Sequence, residues 1–377
     1  MKALSFDRKG IHLRGSVILT VALLVVILAS ANAMADESLQ VVLKKTYDAT
    51  PAEFSLAPFS SSSQPLSVAW SSDGKTLAAL SNYGVTLDVW DTLGDGHKSF
   101  PIKSRFTNNA LAFLNGEEII APSIVQEPGN KVWALSVWNP LNGAFVKGIP
   151  SQDPDRNDWW YNVFSLSADK SMLVALAPAV SGEQKLGTSE FGKNPVPIYS
   201  THTWEILNLI KVVAPVSAAF SPDGKQVAFG DYKGLLSIYD TATGQPLKSI
   251  HPFEAEILPT ITSLEYSPDG KFIVIGSVLY TKQKNTHPVR VVQISDGKVT
   301  ARYSQDLAIL KVVWSPDGKY IAFAPHDKTL RIWNPHTPDD PGVIIRNFNS
   351  MCVAFSPDSR QLAACDGTDV KVFDIKP

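Results

Sequence analysis

Short runs of apolar residues alternate with turn-forming residues along most of the chain. Residues 216–220 form one such run, and the turn sequence Ser-Pro-Asp-Gly-Lys at 221–225 separates it from the next run at 226–229. Two more runs, at 235–239 and 246–250, follow after further turn-forming residues. Runs of this kind, rich in β-branched and aromatic residues and bounded by Pro, Asp and Gly, predict antiparallel strands joined by tight turns. This stretch therefore predicts a unit of four strands.

The same pattern recurs along the chain as an internal repeat. An aromatic residue or Leu precedes each copy of the turn, and neighbouring copies are 41 to 54 residues apart. The turn has three identical copies, two near copies and two weaker ones, at 221–225, 267–271, 315–319, 71–75, 356–360, 114–117 and 167–170. A repeat of this length indicates one supersecondary unit used many times. The seven units start near residues 66, 109, 161, 216, 261, 309 and 350.

Seven units of four strands predict an all-β fold, a seven-bladed β-propeller. The seventh unit supplies only three strands before Pro377, while the β-rich residues 39–47 have no other place in the pattern. We expect this N-terminal strand to complete the last blade, which would close the ring and cover an open sheet edge. Residues 36–377 would then form a single domain.

Five of the predicted third strands end in an aromatic residue followed by Asp or Asn. These pairs are Trp90-Asp91, Trp138-Asn139, Tyr239-Asp240, Trp333-Asn334 and Phe373-Asp374. Together with the repeated turn, they make residues 39–377 resemble the WD40-repeat propellers, as a divergent, bacterial-type exported member. WD40 repeats usually carry Gly-His before the first strand of a blade, where it supports a His–Asp–Ser/Thr–Trp hydrogen-bond network. Here the one Gly-His pair, Gly96-His97, falls near a third-to-fourth-strand turn, so no unit keeps it in the usual place.

The first 35 residues have the pattern of an export signal. Basic residues come first, at Lys2, Arg8, Lys9 and Arg14. A charge-free apolar run at 17–29 and then small residues follow, an order typical of a secretory signal peptide, with cleavage after Ala33 or Ala35. The alternative is an uncleaved anchor, since the run with its flanks is just long enough to span a bilayer. We expect a periplasmic or secreted protein that contacts a membrane only if the signal stays uncleaved.

Composition and charge narrow the classes of function. The chain has 377 residues, 44% of them hydrophobic, and a net charge of −2, which becomes −5 once residues 1–35 are removed. This is ample material for a core, and the charge gives no reason to expect binding to nucleic acid. Two Cys in all exclude a disulfide-dense scaffold and a Cys-rich zinc module.

The long insertions are expected on one face of the propeller. The first-to-second and third-to-fourth turns of a blade share one face, and these turns are short here throughout. The other face receives the insertions at about 121–131, 177–198 and 278–288 and the long connections at 150–160 and 251–260. Insertions on one face commonly mark a binding face.

Aromatic and basic residues on these loops are the candidates for binding a partner, because Trp and Tyr offer a large contact area at low entropic cost. The candidates are Trp159, Trp160, Tyr161, Phe191, Tyr199, Phe253, Tyr280, Lys282 and Lys284. The alternative for each aromatic residue is burial beneath its own loop.

Few residues offer catalytic or metal chemistry. The predicted innermost strands, which line the central channel, hold one acid, Glu265, and one base, Lys311, which we interpret as an ion pair. The His residues lack ligand-like spacing and the loop acids are interpreted as solvated, so we predict no metal, no cofactor and no catalytic residue. Cys352 and Cys365 fall on one predicted hairpin, where they form either a disulfide or two small core residues.

These observations predict an exported propeller that acts as a protein-binding scaffold through its loop-rich face. We expect a monomeric propeller with a protein partner. The alternative is a propeller enzyme or redox subunit, similar to a lactonase or a quinone-cofactor dehydrogenase. Three or more convergent acidic, amide or His groups at the channel mouth would favour that alternative.

Overall fold

The structure is all-β, and its strands form seven four-stranded antiparallel sheets. This computed structural model describes residues 39–48, 67–81, 86–102, 111–115, 118–126, 132–150, 163–176, 195–254, 259–279, 288–303, 308–325, 327–348, 352–367 and 369–376. Throughout these stretches the regular elements are strands, with no helix. The predicted seven-bladed propeller is confirmed, and its compact body spans Val41–Ile375.

The first strand of the chain, β1 (Gln40–Asp48), belongs to the last blade, and the other strands follow the blades in chain order, from innermost to outermost. Blade 1 contains β2 (Ser67–Trp70), β3 (Thr76–Ser81), β4 (Thr86–Asp91) and β5 (His97–Pro101). Blade 2 contains β6 (Ala112–Asn115), β7 (Glu118–Gln126), β8 (Val132–Trp138) and β9 (Phe145–Pro150). Blade 3 contains β10 (Val163–Leu166), β11 (Met172–Leu176), β12 (Val196–Ser200) and β13 (Ile206–Ile210).

The second half of the ring repeats the same order. Blade 4 contains β14 (Pro215–Phe220), β15 (Gln226–Asp231), β16 (Leu236–Asp240) and β17 (Pro246–Ile250), and blade 5 contains β18 (Thr260–Tyr266), β19 (Phe272–Val278), β20 (Val289–Gln293) and β21 (Val299–Tyr303). Blade 6 contains β22 (Ile309–Trp314), β23 (Ile321–Pro325), β24 (Thr329–Trp333) and β25 (Val343–Arg346). Blade 7 contains β26 (Val353–Phe355), β27 (Gln361–Asp366) and β28 (Asp369–Lys376). Strand β1 pairs with β28 as the outermost strand of blade 7, as the sequence predicts.

The core lies between the blades rather than at the centre of the ring. Apolar side chains of each sheet pack on those of the next, as Leu135 of blade 2 and Leu173 of blade 3 do in one such cluster. The closing interface has the same character, since Trp70 and Leu77 of blade 1 pack with Ala363 of blade 7. Burial of these side chains on both sides of every sheet stabilises the ring as a unit, because one blade alone cannot cover its own faces.

The repeated Ser-Pro-Asp-Gly turn is held by its own side chains. In blade 4, the hydroxyl of Ser221 donates to a carboxylate oxygen of Asp223 (2.7 Å) and accepts from the N–H of Gln226 (2.9 Å). The same carboxylate accepts the N–H of Lys225, and the Ser hydroxyl bond is the main cause that lowers the pKa of Asp223. Gly224 takes a φ of +69° in this turn, a conformation that glycine adopts without strain.

Neighbouring blades are also joined at the outer rim by polar clasps. A polar side chain of an outermost strand reaches the third-to-fourth turn of the next blade and donates to its backbone carbonyls. These clasps are Lys45 to Gly94 (2.7 Å), Lys98 to Leu141 (2.8 Å), Asn208 to Thr241 (3.0 Å) and Lys248 to Ile294 (2.6 Å). They satisfy turn carbonyls and fix each blade to its neighbour.

Gly230 lies where blades 4 and 5 approach each other closely. A Cβ added at this glycine would lie 2.4 Å from Cγ2 of Ile261 and 2.6 Å from Oγ of Ser217, which itself donates to the Ile261 carbonyl. We expect Gly230→Ala to lower the free energy of unfolding by about 2 kcal/mol, because the core must shift to admit one methyl group. Urea unfolding monitored by tryptophan fluorescence measures this.

Gly96→Ala is the matched control, since its nearest neighbour in an exposed turn is Asp91 Cβ at 3.3 Å. We expect this control to change stability by less than about 0.5 kcal/mol. An unchanged unfolding midpoint for Gly230→Ala would show that the two blades are not in close contact there.

Candidate binding face

The loop-rich face is formed by the second-to-third connections of the blades and by the connections between blades. The stretches 151–162, 177–194, 255–258 and 280–287, which belong to these connections in the sequence, lie outside the described residues. The expected insertion at 121–131 is partly regular structure, because β7 continues to Gln126 and pairs with β8, with a register shift between Pro122 and Val125. In the described part of the chain, blade 2 thus extends its central hairpin where a loop was expected.

The structure describes two of the nine candidate binding residues, Tyr199 and Phe253. Tyr199 lies on β12 and is buried with Leu135 and Leu173 between blades 2 and 3. Phe253 is buried too, in the connection from blade 4 to blade 5. Phe253 therefore belongs to the packing beneath the face, whereas Tyr199 lies at the other end of its strand, where it faces Leu173 near the first-to-second turn of blade 3. The other candidates lie outside the described residues, namely Trp159, Trp160, Tyr161, Phe191, Tyr280, Lys282 and Lys284.

A buried arginine fixes the connection from blade 4 to blade 5. Arg290, on β20, lies with its guanidinium carbon 4.5 Å from the centre of the Phe253 ring, and it donates to the Pro252 carbonyl (2.5 Å) and to Glu254 (3.0 Å). Arg302 approaches the same carboxylate at 3.9 Å from the exposed side. The Arg290 hydrogen bond lowers the pKa of Glu254, so this carboxylate stays ionised at neutral pH. The base of the face is therefore rigid at this corner.

The same combination of cation, aromatic ring and carboxylate recurs in the next two blades. In blade 6, Arg331 lies against the Tyr303 ring and pairs with Asp327 (2.5 Å). In blade 7, Lys371 lies against the Phe348 ring and pairs with Asp366. Each aromatic ring comes from the end of the preceding blade, close to where WD40 repeats usually carry their Gly-His. Among the described residues, three successive blade junctions thus each carry a paired cation.

These three cation–aromatic–carboxylate groups, which we term staples, were not predicted from the sequence. Arg290 stands alone in the otherwise apolar stretch Val-Arg-Val-Val, and Arg331 is similarly placed between Leu330 and Ile332. A charged residue inside an apolar strand is a signal for a buried, paired group, since an unpaired buried charge is costly. Its partners could not be identified because they come from a different blade or from a turn.

The central channel holds Glu265 on β18 and Lys311 on β22. Glu265 accepts a hydrogen bond from the backbone N–H of Trp314 (2.8 Å). The Ser263 hydroxyl likewise accepts a backbone N–H of β22 (3.2 Å), whereas the Thr262 hydroxyl donates to a backbone carbonyl of β22 (2.5 Å). Lys311 influences Glu265 through its charge but does not contact it directly. In the described structure, a hydrogen bond from the backbone therefore takes the place of the expected ion pair. Burial raises the pKa of Glu265 to about 7 and lowers that of Lys311.

Cys352 and Cys365 are joined in a disulfide across the inner hairpin of blade 7. Their Cα atoms are 5.4 Å apart, and the N–H of Cys365 also donates to the carbonyl of Cys352 (3.2 Å). Both residues are buried in the cluster that closes the ring between blades 7 and 1. The bond therefore lies at the seam where the two ends of the chain meet.

The described stretches contain neither a metal-binding cluster nor a membrane-spanning helix. No group of three or more His, Cys, Asp or Glu side chains converges there in a way that would hold a metal ion. None of the described stretches forms a helix with the length and apolar character that crossing a bilayer requires.

Comparison with known proteins matches part of the second half of the ring to one protein family. The family model "WD domain, G-beta repeat" (WD40) matches residues 297–334 and 346–374. The chain is 28% identical over 130 residues to WD repeat-containing protein 1-B of Xenopus laevis, which covers 33% of this chain and 19% of that protein. It is 31% identical over 126 residues to Echinoderm microtubule-associated protein-like 4 of Homo sapiens, covering 31% of this chain and 11% of that protein. The match thus spans about a fifth or less of these curated relatives, and together with the seven blades it supports a WD40-like propeller.

Proposed function

We propose that this WD40-like propeller is an exported protein-binding scaffold whose loop-rich face receives the partner. The observation that carries the proposal is a closed ring in which the second-to-third connections and the connections between blades share one face, while most described turns on the opposite face are short and held by their own hydrogen bonds. The long insertions of the sequence fall in the connections of that first face. The similarity to WD repeat proteins supports a scaffold.

Rigidity of the ring supports a role in binding. The rim clasps and the staples join neighbouring blades by charged and polar contacts in addition to the apolar core. A surface that is already ordered loses little conformational entropy when a partner docks, so more of the contact energy appears as affinity. Arg290 extends this order to the face itself, because it holds the backbone of the blade 4 to blade 5 connection at Pro252.

Export is supported by the N-terminal sequence and by the cysteines. Residues 1–35 have the order of a secretory signal, with basic, apolar and small segments. The two Cys of the chain are paired in a disulfide, which persists in oxidising compartments and is rare in the cytosol. Both features fit a protein that works in the periplasm or outside the cell.

In-cell crosslinking followed by mass spectrometry tests the scaffold. We expect the wild-type protein to yield a defined envelope or secreted partner, and the double variant Trp159→Ala/Trp160→Ala to lose it, because large aromatic side chains dominate protein interfaces. Leu141→Ala is the control, since Leu141 is an exposed apolar residue in a short turn on the opposite face. We expect this control to keep the partner.

The same purified protein reports on export. We expect its N-terminus at Asp36 or Met34, following the two cleavage sites, and its two Cys to resist alkylation until a reductant is added. In the crosslinking experiment, the absence of a reproducible partner from both the wild type and the double variant would overturn the scaffold proposal. A full-length chain with free thiols would overturn export and leave the scaffold standing as an intracellular one.

A further inference from the structure

The outer edge of blade 3 differs from the outer edges of the other blades. Strand β13 pairs with β12 along one side, and no strand of the described chain pairs with its other side. Three of its five side chains are exposed aliphatic groups, with exposed fractions of 46% for Ile206, 56% for Leu207 and 46% for Leu209. An apolar strand with a free edge is able to add another strand through its backbone groups.

The other six outermost strands carry the residues that prevent such pairing. Each has a Lys, Arg or Pro within its bounds, which blocks edge-to-edge association by charge or by the missing N–H. These residues are Lys44 and Lys45 in β1, Lys98 and Pro101 in β5, Lys147 and Pro150 in β9, Pro246 and Lys248 in β17, Arg302 in β21, and Arg346 in β25. Among the described outer strands, only β13 has neither a charged residue nor a proline.

The sequence around β13 is complementary to itself when it is read in the opposite direction. Residues 205–211 are Glu-Ile-Leu-Asn-Leu-Ile-Lys, which is symmetric about Asn208 apart from the opposite charges at its two ends. Glu205 and Lys211 are both exposed, and the ion pairs among the described residues include neither of them. In an antiparallel pair centred on Asn208, Leu207 of one copy faces Leu209 of the other, and Glu205 faces Lys211.

We propose that two copies of this chain associate through β13, antiparallel and centred on Asn208, to form a two-fold symmetric dimer with one continuous eight-stranded sheet across both copies of blade 3. The occupant of the edge is a second copy because the same strand, reversed, matches the charges at both ends of the strand. A two-fold axis makes the contact isologous, so the association stops at two. This departs from the monomer expected from the sequence.

One existing hydrogen bond changes when the edges pair. The N–H of Leu209 is held by the side-chain oxygen of its neighbour Asn208 (2.8 Å), while the Asn208 amide nitrogen donates to blade 4. Pairing replaces the first bond with a backbone bond and leaves the contact to blade 4 intact. The hydrogen bond to the Asn208 side chain keeps the Leu209 N–H paired in the monomer. The monomer and the dimer therefore differ little in the number of backbone groups without a hydrogen-bond partner.

Sedimentation equilibrium of the protein expressed from its full-length sequence tests the dimer. We expect the wild type to show a concentration-dependent equilibrium between one and two chains. Leu209→Lys, which gives β13 the kind of residue its sister strands carry, is expected to weaken association at least a hundredfold. Leu247→Lys is the control, because Leu247 is 51% exposed on the outer strand β17, and it should leave association unchanged.

Charge reversal identifies the register. Glu205→Lys and Lys211→Glu each place like charges opposite one another at both ends of the pair, and each is expected to weaken association roughly tenfold. The double variant Glu205→Lys/Lys211→Glu restores opposite charges and should return to within about twofold of the wild type. A monomer at every concentration, association unaffected by Leu209→Lys, or a double variant weaker than either single variant would overturn the proposal. None of these outcomes depends on the partner-binding function of the loop-rich face.

Discussion

Asp327→Ala is expected to lower the free energy of unfolding by about 3–5 kcal/mol, because it leaves a buried guanidinium without its counter-charge. Arg331 is buried between blades 5 and 6, where it donates to Asp327 (2.5 Å), to the hydroxyl of Thr329 (3.0 Å) and to the hydroxyl of Tyr303 (3.0 Å). The Tyr303 hydroxyl in turn donates to the Pro341 carbonyl (3.0 Å). Removal of the carboxylate therefore disturbs a whole network of hydrogen bonds and not a single contact.

Chemical denaturation at neutral pH measures this loss. The control is Asp95→Ala, whose carboxylate is fully exposed and pairs with Lys45 at the rim; surface pairs of this kind contribute less than about 1 kcal/mol. The double variant Asp327→Ala/Arg331→Met should be more stable than Asp327→Ala alone, since it removes the stranded charge. Equal stability of the two single variants would contradict a buried, charge-dependent staple.

Glu265→Gln is expected to stabilise the protein at pH 8 by about 1–3 kcal/mol and to leave it unchanged near pH 4. Burial raises the pKa of Glu265 to about 7 in the folded state, from 4.5. As the pH rises from about 4.5 to 7, the unfolded chain ionises this carboxyl before the folded one does, so the folded state loses stability; a shift of this size corresponds to about 3 kcal/mol. Glutamine does not titrate, and its side-chain oxygen still accepts the Trp314 N–H.

Lys311 reduces the stabilisation that we expect from Glu265→Gln. The Glu265 charge favours the protonated form of Lys311, and this favourable effect is lost in the glutamine variant. Unfolding free energies of both proteins at intervals from pH 4 to pH 8 give the test. We expect the wild type to lose stability relative to the variant between pH 4.5 and 7. Parallel curves, or a variant that is less stable at pH 8, would show that Glu265 is solvated as an ordinary carboxylate.

The repeat made the fold predictable from the sequence. Seven copies of one turn at regular spacing identify seven blades, and residues 39–47 were left over for the closing strand, which the structure places beside β28. The reason is physical: each blade is built from local antiparallel pairs, so neighbouring residues along the chain carry most of the information.

Contacts between blades were much harder to predict. Tyr199 and Phe253 look like surface residues in a pattern of loops, but both are buried by side chains from another blade. The partner of Glu265 is the backbone of Trp314, which no side-chain pattern reveals. Arg290 was detectable as a lone charge in an apolar strand, although its partners lie 36 and 38 residues away along the chain.

The central claim is that the loop-rich face binds the partner. Hydrogen–deuterium exchange of this chain, measured with and without the partner that crosslinking identifies, tests the claim most directly. We predict that the partner slows exchange in peptides that cover residues 151–162, 177–194 and 280–287, and leaves the short turns at 92–96, 139–144 and 241–245 unchanged. Protection confined to those short turns would place the partner on the opposite face and contradict the proposal.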